Sequence, residues 1–269
     1  MSYTSNLSFI GGGNMAGAII DAVIKSQVLE ASQISVFDPS EEKCEYFKNK
    51  GLCLANSNIE LAGQKGILFL AVKPQIIDSV LAEIASNLKC SCIVSIAAGV
   101  SVEHIRSIVG SDCPIIRALP NTPMLALEGM TVIAESENVP SDIFDFVKSI
   151  FQAAGEVVIL PENKINEAIP LSSSSPAFFF RMLDAMAHWG ENKGIPFEES
   201  FKLAAVSMYG SAKYALKSEK TPSDLIAQVS SPGGTTVAAL SAFDDFDFEK
   251  FIDEVSERCT NRAYELGAK

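Results

Sequence analysis

The chain has 269 residues, of which 48% are hydrophobic and 20% are charged, and its net charge at pH 7 is −12. This length fits one large domain or two ordinary ones, and the apolar fraction is too high for a disordered chain. The negative charge disfavours nucleic acid and anionic membrane surfaces as partners.

Short β-type runs alternate with helical segments from Leu7 to about Pro161. Helices are predicted at Ala16–Leu29 and Ser40–Lys50, the second with Ser40 as its N-cap. This alternation predicts an α/β fold built on a doubly wound, mainly parallel sheet. Its predicted strands are Leu7–Ile10, Ile34–Phe37, Ile67–Val72, Ile93–Ile96 and Ile115–Ala118.

The β pattern stops after Pro161, and the remainder of the chain has a helical pattern broken at Gly194-Ile195-Pro196 and Thr221-Pro222. One of these helices is dense in small residues, which is typical of close packing against other helices, within a subunit or between two. We therefore expect two domains, residues 1–161 and an all-helical domain of residues 162–269. The predicted helices of the second domain are Asn163–Ala168, Pro176–Asn192, Phe197–Lys217 and Phe248–Leu266.

A glycine motif follows the first predicted strand. Gly11-Gly12-Gly13-Asn14-Met15-Ala16 matches the G-x-G-x-x-A pattern of dinucleotide-binding β-α-β units. In that pattern Gly11 permits the tight turn and Gly13 lets a pyrophosphate approach the backbone. The pattern alone is weak evidence, but its place between a strand and a helix favours a dinucleotide site over a plain glycine-rich turn.

Asp38 closes the second strand, where a carboxylate accepts hydrogen bonds from the adenosine ribose of NAD and repels the 2′-phosphate of NADP. Ser40 and Lys43 follow closely and could bind that phosphate instead. Asp38 could also only cap the next helix. The sequence therefore predicts NADPH or NADH as the cofactor and leaves the preference open.

Small and polar residues follow three further strands, at Ala71-Val72-Lys73-Pro74, Ser95–Gly99 and Pro120–Pro123. Ligands of open parallel sheets bind outside the carboxyl ends of the strands. Lys73 is thus placed to meet a phosphate or ribose, although an ordinary loop lysine is the alternative. The small residues of Ser95–Gly99 would let a nicotinamide ring lie against the backbone.

A second anion site is predicted late in the chain. Ser231-Pro232-Gly233-Gly234-Thr235-Thr236 leads into the helical pattern Val237–Leu240. Free amides and hydroxyls at a helix N-terminus suit a carboxylate. One site for a pyrophosphate and one for a small acid indicate a dehydrogenase or reductase with a small-molecule substrate.

The cysteines and histidines predict neither a metal site nor a nucleophile. None of the six cysteines forms a C-x-x-C pair, so we expect reduced structural thiols in a cytoplasmic protein. His104 and His188 fall in helical patterns without partners at metal-ligand spacing. Met1–Asn6 does not resemble a signal peptide, and no apolar run approaches the about 20 residues of a membrane span.

Taken in order, these segments resemble pyrroline-5-carboxylate reductase, the last enzyme of proline biosynthesis. The resemblance spans most of the chain, and Ser231–Thr236 is its most specific segment. It implies a Rossmann domain followed by a helical domain through which subunits pair into a homodimer or a higher homo-oligomer. It also implies an active site shared between two subunits.

The resemblance further implies roles for individual residues. Ser231, Gly233, Gly234 and Thr235 would bind the substrate carboxylate. Thr236 would hydrogen-bond the ring nitrogen, near which Glu219 is a second catalytic candidate or an ordinary exposed glutamate. The residues expected to contact the dinucleotide are Gly11, Gly12, Gly13, Asn14, Met15, Asp38, Asn58, Ala71, Val72, Lys73, Pro74, Ile96, Ala97 and Ala98.

One departure from the family pattern concerns the substrate pocket. The family usually has Ser-Gly-Ser-Gly-Pro where this chain has Ser172-Ser173-Ser174-Ser175-Pro176. If the glycines have positive φ, each serine would cost about 1 kcal/mol or more. If they are only small residues at a crowded helix start, serine fits and adds capping hydroxyls. The Asp38-Pro39-Ser40 turn also lacks the arginine of some NADP-preferring relatives.

The expected reaction is the reduction of Δ1-pyrroline-5-carboxylate to L-proline by hydride transfer to the C=N carbon. A protonated imine accepts hydride without a strong protein acid, so catalysis would be mainly positioning and electrostatics. The alternatives are a related imino-acid or hydroxy-acid reductase and a non-catalytic dinucleotide-binding sensor. A β-hydroxyacid dehydrogenase would carry a lysine on the first long helix of the second domain, where this chain has Arg181 and His188.

Overall fold

The computed structural model of the protein describes residues 5–110, 112–136 and 138–267. Its contacts form two compact units. The first, here called the sheet unit, runs to Pro176 and resumes at Arg258, and the second, the helical unit, spans Ala177–Glu257. The domain boundary after residue 161 was inferred from the end of the β pattern, and it stays a prediction.

An eight-stranded sheet forms the centre of the sheet unit. The strands lie in the order β3-β2-β1-β4-β5-β6-β7-β8, and each neighbouring pair is parallel except β6 with β7. The predicted doubly wound, mainly parallel sheet is therefore confirmed. The strands are β1 (Leu7–Ile10), β2 (Ile34–Phe37), β3 (Cys53–Leu54), β4 (Ile67–Leu70), β5 (Cys92–Ser95), β6 (Ile115–Leu119), β7 (Gly129–Ala134) and β8 (Gly155–Leu160).

The two central strands show why apolar runs form this sheet. Every residue of β1 and β4 is buried, because helices cover both faces. On one face Phe9 stacks on Phe69 with ring centroids 4.5 Å apart. On the other face Ile10 and Leu70 join a separate apolar cluster.

Seven helices of the described chain lie wholly within the sheet unit, between or after its strands, and Ala16 is buried in the first of them. A π-helical turn, Ile169–Ser173, follows the last of the seven. They are α1 (Asn14–Lys25), α2 (Glu41–Asn49), α3 (Asn58–Ala62), α4 (Ile77–Ile84), α5 (Val102–Val109), α6 (Ser141–Gln152) and α7 (Ile165–Ala168).

Helices alone make up the regular structure of the described helical unit. The remaining helices of the chain are α8 (Ser175–Glu191), α9 (Phe197–Lys217), α10 (Pro222–Gln228), α11 (Thr235–Asp245) and α12 (Phe248–Gly267). The break predicted at Thr221-Pro222 is the start of α10, a helix that the sequence pattern does not predict. Thr221 is in fact the N-cap of α10, accepting a hydrogen bond from the Asp224 amide, and Pro222 occupies the first helical position.

Several predicted boundaries shift in the structure. The strand predicted to end at Val72 ends at Leu70, and α1 begins at Asn14 instead of Ala16. Ser40 is the N-cap of α2, as predicted, although its side chain makes no capping hydrogen bond. None of the helices described here is both long and apolar enough to cross a membrane.

Candidate active site

The residues predicted to contact the dinucleotide lie in loops that leave neighbouring strands at one edge of the sheet. Three backbone hydrogen bonds hold these loops side by side. Gly11 N donates to Phe37 O at 2.8 Å, Ala71 N to Ile10 O at 2.9 Å, and Ile96 N to Leu70 O at 3.2 Å. The loops after β1, β2, β4 and β5 thus form a continuous edge, where ligands of such sheets bind.

The glycine turn after β1 requires glycine at its first position. Gly11 has φ +98°, and a Cβ there would lie 2.6 Å from the carbonyl oxygen of Ala71. Gly13 is the N-cap of α1, and a Cβ on it would meet nothing within 4 Å. The first turn of α1 carries no acidic residue. Open space beside a positive helix N-terminus fits a pyrophosphate.

Asp38 faces inward at the end of β2 and is 8% exposed. Its carboxylate accepts hydrogen bonds from the amides of Gly12 at 2.8 Å and Ser40 at 3.0 Å, and from Lys43 Nζ at 3.0 Å. Burial acts to raise the pKa of Asp38, but these hydrogen bonds and the Lys43 charge outweigh it and hold the pKa below the usual value. Asp38 is therefore an ionised group whose charge Lys43 balances.

A cavity of about 580 Å³ lies between the glycine turn and α2. Gly13, Ser40, Lys43 and Tyr46 are among the residues that line it. Lys43 is 46% exposed and brings a positive charge to the cavity, next to the carboxylate of Asp38. A ribose hydroxyl and a ribose phosphate would each find a matching group, so the geometry leaves the choice between NADH and NADPH open.

Two other predicted cofactor residues, Lys73 and Asn58, differ in exposure and in hydrogen bonding. Lys73 is exposed and precedes a 3₁₀ turn that begins at Pro74. Asn58 begins α3, and its amide donates a hydrogen bond to Glu83 Oε2 at 2.8 Å. A dinucleotide contact from the Asn58 side chain would have to compete with that bond.

The loop after β5 is fixed against the end of α12. Gly99 has φ +81°, and a Cβ on it would lie 2.6 Å from the carbonyl oxygen of Ala263. Ala97 and Ala263 are both buried. The last turns of α12 therefore pack against the loop that contains Ile96–Ala98, where a nicotinamide ring was predicted to lie.

The serine run occupies the π-helical turn and the start of α8. Among the described residues, the non-glycine positions with positive φ are Gln27, Leu127 and Asp247, so none of Ser172–Ser175 is strained. Ser172 Oγ and Ser175 Oγ donate to carbonyl oxygens one turn earlier, at 3.1 Å and 3.0 Å. All four serines therefore fit without backbone strain, and the hydroxyls of Ser172 and Ser175 are satisfied locally.

Asn121 ties the serine run to the sheet. This buried residue follows β6, and its Nδ2 donates to the carbonyl oxygen of Ser172 at 3.1 Å. Its Oδ1 accepts a hydrogen bond from the Met130 amide at 2.8 Å. The polar segment Pro120–Pro123 is anchored through this side chain.

The predicted carboxylate site in the helical unit is a tight turn leading into α11. Gly233 has φ +72°, and Gly234 is the N-cap, with its amide donating to Ser231 O at 2.9 Å. A Cβ on Gly234 would lie 2.6 Å from Ser231 Oγ and 2.9 Å from the backbone carbonyl oxygen of Ser231. Both glycines are needed for this turn, which leaves Thr235 and Thr236 in the first turn of α11.

The catalytic candidates Thr236 and Glu219 both lie in the helical unit. Thr236 is partly buried, and no acidic residue lies in its helix turn. Glu219 is exposed in the segment between α9 and α10. No hydrogen bond joins Glu219 to Ser231–Thr236 in the described part of the chain, and its catalytic role stays a prediction.

Two buried residues near the predicted site, Phe47 and Arg117, are not indicated by any motif in the sequence. Phe47 on α2 supports the glycine turn, because a Cβ on Gly12 would lie 2.7 Å from its ring. Arg117 on β6 is 3% exposed and donates to Asn166 Oδ1 at 2.6 Å. Burial lowers the pKa of Arg117, although the Glu162 carboxylate opposes the shift. The sequence does contain an indication of this buried residue, because Arg117 is a charged residue within an otherwise apolar predicted strand.

Two protein-family models match the chain, one in its N-terminal part and one in its C-terminal part. Residues 162–266 match the family model for pyrroline-5-carboxylate reductase dimerisation. Residues 6–99 match a model described as NADP oxidoreductase, coenzyme F420-dependent. The helical part of the chain is therefore similar to a region through which subunits associate.

Individual relatives match over nearly the full length. The chain is 38% identical to pyrroline-5-carboxylate reductase of Escherichia coli (strain K12), over 97% of each protein. A Plasmodium falciparum pyrroline carboxylate reductase structure with NADP bound gives a TM-score of 0.90 at 27% identity, covering 98% of each chain. A Coxiella burnetii pyrroline-5-carboxylate reductase structure gives 0.89 at 32% identity, covering 98% of this chain and 99% of that one. The chain belongs to the pyrroline-5-carboxylate reductase family.

Proposed function

We propose that this protein is an oxidoreductase that reduces Δ1-pyrroline-5-carboxylate to L-proline, the last step of proline biosynthesis. The observation that carries the proposal is the 38% identity to a named reductase over 97% of both proteins. Two separate turns suited to anions, one in each unit, agree with a dinucleotide cofactor and a small acidic substrate.

The cofactor is a nicotinamide dinucleotide, which supplies a hydride. In this proposal α1 and the glycine turn bind the pyrophosphate, and the loops after β4 and β5 bind the nicotinamide half. The NADP-bound relative and the cavity lysine Lys43 support NADPH, whereas Asp38 supports NADH. We leave the preference to measurement.

The substrate would be held by its carboxylate at Ser231–Thr235. Free amides and hydroxyls at the start of α11 suit this anion. Thr236 would hydrogen-bond the ring nitrogen and so set which face of the C=N bond receives hydride. Glu219 is proposed as a second group near that nitrogen. The substrate accepts hydride as a protonated imine, so the protein need not supply a strong acid. Positioning and electrostatic stabilisation by these groups would then lower the barrier to hydride transfer.

We also propose that the active protein is a homodimer or a higher homo-oligomer that pairs through residues 162–269. The family model for dimerisation supports this assembly. Helices α8 and α9 leave large apolar side chains exposed, as expected of a face that a second copy covers. They include Phe180, Trp189, Leu203, Val206 and Leu216. A cytoplasmic location stays a prediction from the cysteine usage.

The proposal is tested by the oxidation of NADPH, and separately of NADH, by the purified protein with Δ1-pyrroline-5-carboxylate. We expect rapid turnover with at least one cofactor and L-proline as the product. The ratio of the two rates reports the balance between Lys43 and Asp38. Binding of both cofactors without turnover on this substrate would favour another imino or hydroxy acid, or a sensor.

A further inference from the structure

Strand β8 forms one edge of the eight-stranded sheet, and in the described part of the chain β7 is the strand that pairs with it. The opposite edge is β3, which has two residues, whereas β8 runs over the six residues Gly155–Leu160. A long edge strand presents a row of unpaired backbone N–H and C=O groups that another strand can join. β8 is therefore the edge of this sheet with room for a further strand.

The pairing with β7 shows which backbone groups of β8 point outward. Glu135 N donates to Leu160 O at 2.8 Å, so the backbone groups of Leu160 face β7. In a parallel pair every second residue of a strand bonds to the same neighbour. The N–H and C=O groups of Gly155, Val157 and Ile159 therefore point away from the sheet.

The side chains of β8 are mainly apolar, yet none of them is buried. Val158 is 41% exposed and Ile159 is 38% exposed, and successive side chains of a strand point to opposite faces of the sheet. Glu156 is the one charged residue of β8, which contains neither the lysine nor the proline that commonly protect edge strands. Exposed apolar residues on both faces of an unprotected edge indicate a surface that another chain covers.

A second copy of this chain is the occupant that the structure favours. Pro161 alone separates β8 from residues 162–266, which match the dimerisation model. Within the sheet unit, Leu160 packs against a buried cluster that includes Ile165 and Ala263 from that matched region. β8 is thus continuous with the proposed subunit interface, and an edge strand can pair with its own copy about a twofold axis.

We propose that β8 pairs antiparallel with β8 of a second copy, so that two sheets join across a twofold axis. The proposal rests on the homo-oligomer proposed above and extends its interface to the sheet. The register that pairs every outward N–H and C=O places Val157 opposite Val157 of the second copy and Gly155 opposite Ile159. It also places Glu156 opposite Val158, so the carboxylates of the two copies do not face each other.

The experiment tests this register with engineered cysteines in a Cys53→Ser background, which removes an exposed native thiol. Directly opposite residues of an antiparallel pair have Cα atoms about 4.5 to 5.5 Å apart, a separation that a disulfide can bridge. The double variant Glu156→Cys/Val158→Cys should therefore run as a covalent dimer on a non-reducing gel after mild oxidation. Each single variant should run as one chain, because positions 156 and 158 lie opposite each other and not opposite themselves.

Two proline substitutions in the double-cysteine protein separate strand pairing from chance collision. Ile159→Pro removes an outward N–H and keeps the bonds to β7, so the covalent dimer should be lost. Leu54→Pro is the matched control at the β3 edge and should keep the dimer. Leu54 is also 38% exposed, and its backbone points outward because the next residue, Ala55, donates from its N to Val36 O on β2.

Hydrogen exchange of the unmodified protein gives a second readout that needs no variant. The amides of Val157 and Ile159 should be protected from exchange, whereas a free edge would leave them open to water. The proposal is overturned if both amides exchange as unpaired amides do, if the double variant gives no covalent dimer, or if either single variant gives as much. Oxidation of NADPH and NADH is measured separately, so a missing cross-link with normal turnover would count against the β8 pairing alone.

Discussion

Thr236 is the residue on which the proposed chemistry depends most directly. It lies in the first turn of α11, directly after a turn that requires glycine at positions 233 and 234. Replacing it with valine keeps the side-chain shape and removes the hydroxyl. We expect Thr236→Val to lower kcat/KM for the imine about a hundredfold or more, because a donor or acceptor aimed at the reacting group is lost.

Thr236→Ser is the matched control, since it keeps the hydroxyl and should retain most of the activity. Both variants should bind NADPH as the wild type does, which titration calorimetry can check. Equal kcat/KM for Thr236→Val and wild type would remove Thr236 from the mechanism.

Asp38 links the cofactor edge to the pH dependence of stability. Its pKa is lowered in the folded protein, because hydrogen bonds from Gly12, Ser40 and Lys43 outweigh the opposing effect of burial. A carboxyl with a lowered folded pKa stabilises the fold above its unfolded pKa. That contribution is lost as the pH falls through the unfolded value and on towards the folded one.

Asp38→Asn should therefore be less stable than the wild type at neutral pH. The difference should narrow as the pH falls below 3.8, the ordinary value for aspartate. Urea unfolding of both proteins across the range from about pH 6 to pH 3 measures this. A difference that stays constant through that range would show that the charge of Asp38 does not contribute to stability.

At the scale of elements, the end of α12 supports the loop after β5. An alanine at position 99 would have a strained backbone, because φ is +81° there. Its methyl group would also lie only 2.6 Å from the Ala263 carbonyl oxygen. We expect Gly99→Ala to lower the free energy of unfolding by about 2 kcal/mol or more and to weaken cofactor binding. Chemical unfolding and cofactor titration provide the two readouts.

Gly194→Ala is the control for strain alone. Gly194 has φ +88°, close to that of Gly99, but a Cβ there would meet nothing within 4 Å. It should cost only about 1 kcal/mol. If the two variants lose equal stability, the contact between the Gly99 loop and α12 has no energetic weight.

The sequence predicted the elements whose apolar runs are long and uninterrupted. It placed β1, β2, β4, β5 and β6, and it predicted Phe197–Lys217 with both boundaries as observed. It missed β3, which has two residues, and β8, none of whose residues is buried. It also missed β7, although most of the residues of that strand are buried. It also missed α10, because Thr221-Pro222 is a helix start as readily as a stop.

The sequence predicted those parts of the candidate site in which glycine-rich turns present backbone amides to a ligand. The glycine turn and Ser231–Thr236 were recognisable because Gly11 and Gly233 need positive φ. The inward orientation of Asp38 could not be predicted, because it depends on a hydrogen bond from Gly12, which lies 26 residues earlier in the chain. The φ angles of Ser172–Ser175 could not be predicted from the residue types alone. The sequence left two outcomes open for the serine run, and the structure supports the small-residue one.

At the scale of the whole molecule, the proposed cofactor site and the proposed substrate site lie in different units. The sheet unit carries the residues proposed to contact the dinucleotide, and the helical unit carries the turn proposed to bind the carboxylate, with Thr236 and Glu219. The match to the dimerisation model over residues 162–266 agrees with the exposed apolar side chains of α8 and α9. Both observations support the proposed homo-oligomer.

The central claim is hydride transfer from the cofactor to the C=N carbon. The measurement that tests it most directly uses NADPH or NADH carrying deuterium at the transferable position, with Δ1-pyrroline-5-carboxylate and the purified protein. The account predicts L-proline with deuterium on one face of the former imine carbon, as read by NMR. Proline without deuterium at that carbon, or cofactor oxidised without proline, would contradict it.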